Sequence, residues 1–137
     1  MKRGIKLYGL IGILLIILTQ INFFLKIHPF ANWYFPIVWF GYILTLDSLV
    51  YKIKGSSLIN NRLKTFLGIL IISALFWYIF ELTNISVQSW SYQGTSDFGS
   101  AKQLFGFLSF ATVLPALFET TELIRAIHLF DKEKLPK

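Results

Sequence analysis

Residues 7–25 read LYGLIGILLIILTQINFFL, an apolar run interrupted only by Thr19, Gln20 and Asn22. At a rise of 1.5 Å per residue, about 20 such residues cross the ~30 Å hydrocarbon core of a bilayer as a helix. Apolar residues do not alternate with polar ones here, as the strands of a membrane barrel would require. The stretch therefore reads as a membrane-spanning helix. Lys2, Arg3 and Lys6 precede it, as in a secretory signal. However, the apolar run outlasts a signal core, and NFFLKIHPF at 22–30 offers no small-x-small cleavage site, so a retained helix is expected.

Three further runs have the same character. Phe35–Tyr51 (FPIVWFGYILTLDSLVY) carries Pro36 in its first turn, where a missing N–H costs least. Thr65–Leu82 (TFLGILIISALFWYIFEL) is the third, and Gln103–Ile124, with Pro115 in its second half, is the fourth. The composition agrees. Of 137 residues, 55% are hydrophobic and 15% charged, where soluble chains carry about a quarter charged. The mean hydropathy is +0.61. The expected fold is all-α: a polytopic membrane protein, one domain over residues 1–137, with four transmembrane helices at about 7–25, 35–51, 65–82 and 103–124 in an antiparallel bundle.

Sidedness follows from the basic residues, which are retained on the cytoplasmic face of membranes. The net charge is +6. Lys2, Arg3 and Lys6, then Lys52, Lys54, Arg62 and Lys64, then Arg125, Lys132, Lys134 and Lys137 fall on one side of such a threading. Lys26 and Lys102 fall on the other. Both termini are thus expected in the cytoplasm of a cell-membrane protein. The basic loops suit anionic lipid headgroups, not nucleic acid.

Several chemistries are absent from the chain. There is no cysteine, which excludes disulfides, thiolate catalysis and Cys-ligated metal centres. His28 and His128 stand outside any ligand spacing, and no metal site is expected. HExxH, GxSxG, GxGxxG and Walker patterns do not occur. Gly9, Gly12, Gly41, Gly68 and Gly106 read as close-packing positions.

The informative residues are carboxylates inside spans, each costing about 2.5–3.5 kcal/mol on insertion scales. Asp47 lies near the cytoplasmic end of the second helix. Glu119 and Glu122 share one face of the fourth, below Pro115, whose missing N–H frees the carbonyl of Ala111. Asp47, Glu119 and Glu122 at similar depth suit a polar pocket for a small ligand or cation. The alternative is a set of interfacial ion pairs, Glu122 with Arg125 and Asp47 with Lys52 or Lys54. Glu119, the deepest, is the first choice for a functional group. On the third helix Ser73, Trp77, Glu81 and Asn84 recur at helical spacing and form one inward stripe. Trp77, Glu81 and Asn84 are candidates for ligand binding. Helix gluing, with Glu81 accepting from Asn22 or from neighbours of Trp77, is the competing reading.

Taken together, WSYQG at 90–94, Gly106 and LPALFETTEL at 114–123 resemble the membrane domains of heterodimeric-type lycopene (carotenoid) cyclases. That resemblance maps Trp90, Tyr92, Pro115, Glu119 and Glu122 onto the family pattern. It implies an isoprenoid cyclase in which a glutamate, Glu119 or Glu122, donates a proton to a double bond. The stretch from Trp33 to Tyr51 is also similar to small polytopic prokaryotic membrane proteins to which no activity attaches. Three functions are thus expected to compete: ligand or cation binding or transport, cyclase-like catalysis, and service as an accessory subunit. The expected partners are the lipid bilayer and a homo-oligomer or larger membrane complex.

Overall fold

The computed structural model describes residues 4–93 and 95–128, with side chains at all of these except 95–97. Lys2, Arg3, Gly94, Lys132, Lys134 and Lys137 lie outside the described residues. Every regular element described is helical: α1 (Leu7–Leu25), α2 (Tyr34–Lys54), α3 (Leu58–Asn61), α4 (Leu63–Val87), a 3-10 segment (Thr95–Ala101), α5 (Lys102–Ala111) and α6 (Val113–Ala126). Four stretches are long and apolar enough to cross a membrane: α1, α2, α4 and the 29-residue Phe98–Ala126.

The helix ends have local causes. Lys26, Gly55 and Gln88 adopt left-handed backbone after α1, α2 and α4, and each N–H closes on the carbonyl four residues back. Between Gly55 and α4, the Ser57 side chain accepts from the Asn60 N–H and caps the single turn α3. Neither α3 nor the continuation of α4 to Val87 is marked by hydropathy.

The fourth span is two helices, not one continuous helix over 103–124. Pro115 has no N–H to offer the Ala111 carbonyl, which weakens the ladder there. Ser73 of α4 enters the break. Its hydroxyl donates to the Phe110 carbonyl at 2.5 Å and accepts from the Leu114 N–H at 3.0 Å, standing between the two partners of one helical hydrogen bond. Thr112, at the junction, donates its hydroxyl to the Ser109 carbonyl at 2.7 Å.

The helices pack serially: α1 on α2, α2 on α5 and α6, and those two on α4. Burial follows this order. Over an 18-residue apolar stretch of each span, 39% of residues are buried in α2 and 33% in Phe98–Ala126, against 17% in α1 and in α4. Leu, Ile and Phe side chains cover the outward faces of these two flanking helices. The α1–α2 seam is tightest around Gly9, Gly12 and Gly41, all buried. It is tied at one end by the Lys6 N–H donating to Ser48 Oγ at 2.8 Å, and at the other by Gln20 Nε2 donating to the Tyr34 hydroxyl at 2.8 Å. These pairings run in opposite directions along the two helices, so α1 and α2 are antiparallel. Gly68, by contrast, has nothing near it and serves no close contact.

Candidate functional site

Asp47 and Glu119 are both fully buried, but their surroundings differ. Asp47 collects three donors: the Tyr8 hydroxyl at 2.5 Å, Ser57 Oγ at 2.7 Å and the Ile59 N–H at 2.7 Å. These come from α1, from the turn before α3 and from α3 itself, so one carboxylate pins three elements to α2. Each of the three groups donates, and the Asp47 oxygens are the acceptors they require. Glu119 projects from α6; no hydroxyl, amide or amine donates to either of its oxygens, and its polar neighbour is the Asp47 carboxyl group. Asp47 is the foremost charged group acting on it, ahead of Glu122 and Arg62. Of the three carboxylates that suited a polar pocket, Asp47 and Glu119 are neighbours, and Glu122 stands apart from them.

Glu122 lies one turn further along α6 and belongs to the rim. Lys54 Nζ donates to its Oε2 at 2.6 Å. Arg62 and Glu122 also line a small recess of about 110 Å³ with Leu58, Thr65, Ile69 and Phe118. The ion pairing at this end therefore differs from the expected one. Glu122 takes Lys54 and not Arg125, because α2 and α6 end side by side, while Asp47 takes hydroxyls and an amide and not Lys52 or Lys54.

A second feature lies between α2, α4 and α5–α6. It is a cleft of about 1220 Å³ with walls rich in aromatic side chains, among them Trp39, Tyr42, Trp77, Tyr78, Phe105 and Phe110. Asp47, Glu119 and Glu122 do not line it; Glu81 does, and is its acidic group among the described residues. Glu81 Oε1 accepts from Tyr92 Oη at 2.6 Å and from Trp90 Nε1 at 3.2 Å. The partners of Glu81 are thus in the loop after α4, and not Asn22, which closes on its own neighbour Ile27. Burial, followed by the hydrogen bond to Glu81 and the charge of that carboxylate, pushes the Tyr92 hydroxyl up from 10.0 to about 12.

The α4 stripe divides by task. Ser73 fills the α5–α6 break and Trp77 and Glu81 face the cleft, whereas Asn84 holds the loop by exchanging two hydrogen bonds with the Trp90 backbone. Trp77 Nε1 and Ser109 Oγ, both from cleft-lining residues, are buried without partners. At the α6 end of the cleft, the Tyr42 and Thr120 hydroxyls pair at 2.7 Å. Tyr8, Ser57, Arg62, Ser109 and Thr120 all belong to these sites, and sequence reasoning had not singled them out. Only Ser57 left a local trace, as a cap ahead of Asn60. Among the described residues, no group of three or more His, Asp or Glu side chains is placed to hold a metal ion. No known protein family, curated protein or solved structure matches the chain.

Proposed function

We propose that this chain is a multi-pass cell-membrane protein, with both termini cytoplasmic, whose Asp47–Glu119 pair holds a proton used in binding or moving a small cation. Its outward apolar faces and four crossing-length helices support the membrane setting. Sidedness is supported by charge. Lys6, Lys52, Lys54, Arg62, Lys64 and Arg125 sit at the end of the helices opposite Lys26 and Lys102.

The observation that carries the reading is Glu119: a wholly buried carboxyl group with no donor, beside a second carboxylate that has three. Two negative charges side by side in a dehydrated interior repel, and one proton between them removes the repulsion. A pair of this kind takes up and releases a proton when a cation or a shift in helix packing changes its field. The Lys54–Glu122 bridge and Arg62, one turn away, connect it to the basic end of the protein.

The test is proton flux into proteoliposomes carrying an internal pH-sensitive dye, driven by sodium or potassium gradients. Wild-type protein should conduct, and Glu119→Gln, whose amide cannot take up and release the proton, should lose most of the rate. Equal flux from a folded Glu119→Gln protein would remove the proposal.

A further inference from the structure

The aromatic cleft is a separate site, since the carboxyl pair does not line it. From its shape and polar groups we infer that it binds a single-chain lipid whose head carries both an ammonium and a phosphate, such as a lysophosphatidylethanolamine.

Size comes first. A volume of about 1220 Å³ exceeds the ~300–1,000 Å³ typical of small-molecule pockets. Along α5–α6 the lining runs from Lys102 to Thr120, a path of roughly 27 Å at 1.5 Å per residue. A long, narrow occupant suits that path better than a compact one. The walls are predominantly carbon, which suits an acyl chain.

The polar groups then orient the occupant. Glu81 and Lys102 both line the cleft near the α4–α5 loop, presenting one carboxylate and one ammonium at the same end. Glu81 Oε1 is engaged by Trp90 and Tyr92 in the loop, which holds the carboxylate in place. A head bearing a cation and an anion complements this pair, whereas a purely anionic head would meet Glu81 with repulsion. Deeper in, Ser109 is 5% exposed, and its Oγ has no partner; nor has Trp77 Nε1. Buried donors left unpaired cost stability, and the ester oxygens at the top of a lysolipid chain supply the acceptors they lack.

Native mass spectrometry of the detergent-purified protein tests this with two probes of equal chain length, lysophosphatidylethanolamine and lysophosphatidylglycerol. Wild-type protein should retain one lysophosphatidylethanolamine and bind lysophosphatidylglycerol at least about tenfold more weakly, as a like charge at a binding site imposes. Glu81→Gln should abolish that preference. Gly106→Leu should prevent retention of both, because Gly106 lines the cleft, and a Cβ there meets only ordinary contacts, with Tyr78 Oη at 3.7 Å and Phe110 Cε2 at 4.0 Å, which leaves the longer side chain to fill the space. Ser109→Leu is a second filling variant, and circular dichroism verifies the fold of each. Unchanged retention in folded filling variants, equal affinity for the two heads, or a preference that survives Glu81→Gln would each overturn the inference.

Discussion

Gly12 of α1 and Gly41 of α2 meet backbone to backbone: a Cβ built on Gly12 would lie 2.6 Å from the Gly41 carbonyl oxygen, and one on Gly41 2.9 Å from that of Gly12. In lipid, helices associate through close packing, since the surrounding chains are as apolar as leucine. The two glycines therefore set the distance between α1 and α2, and so where Tyr8 reaches Asp47. Replacing Gly12 by Ile should destabilise the folded state by about 1–3 kcal/mol, the usual cost of overpacking. Gly68→Ala, with nothing near its Cβ, should be neutral or stabilising by up to about 1 kcal/mol. Thermal unfolding in one detergent, followed by helical circular dichroism, compares them.

Ser73 substitutes for a backbone partner in the α5–α6 break, bonding both Phe110 and Leu114. Ser73→Ala should cost about 1–3 kcal/mol, because it leaves a buried carbonyl and amide unpaired. Hydrogen exchange of the Leu114 amide gives the local readout and should accelerate in the variant. Protection equal to wild type would mean that the helix had closed without the serine.

Asp47 and Glu119 should respond to mutation with opposite consequences for stability. Asp47→Ala strands three neutral donors, at about 1–3 kcal/mol for each that stays buried, and should cost at least about 3 kcal/mol. Glu119→Leu removes a buried carboxyl group that no hydroxyl, amide or amine reaches and whose neighbour is a second carboxylate, and should be neutral or stabilising by up to about 2 kcal/mol. Chemical denaturation of the two variants distinguishes these outcomes. A group that costs stability where it stands is one retained for a task, so a large loss on Glu119→Leu would argue for a purely structural role.

Tyr92 supplies a pH dependence. Its hydroxyl is pushed up to about 12, so the folded state favours the neutral phenol. The Tyr92–Glu81 contact is thus fully present below about 10, where a free tyrosine ionises, and is lost as pH rises from there through about 12. In ultraviolet titration, the difference between wild type and Tyr92→Phe should show one tyrosinate forming near 12 and not near 10.

Much of the fold was legible because a bilayer demands long, uninterrupted apolar runs, and residues 7–25, 34–54 and 63–87 satisfy that locally. The kink near Pro115 was partly legible: the freed carbonyl follows from proline chemistry, but the arrival of Ser73, about 40 positions earlier, follows from packing alone. The same division holds in the sites. Asp47, Glu119, Trp77 and Glu81 stood out as polar groups in apolar runs. The pairings of Asp47 and Glu81 did not, because Tyr8, Ser57 and Trp90 reach them across turns or between helices, at separations that no periodicity records, and the same holds for Lys54 on Glu122. The aromatic cleft was illegible for a related reason: it is an absence of packing between helices, and phenylalanines read alike whether they fill a core or line a space.

Because the chain has no cysteine, single substitutions at two exposed turn residues, Ser56→Cys before α3 and Ser89→Cys after α4, test the membrane-spanning arrangement directly. In intact cells, a membrane-impermeant thiol reagent should label the cysteine at 89 and leave that at 56 unlabelled until the membrane is opened. Labelling of both positions, or of 56 alone, would contradict the proposed crossing and its sidedness.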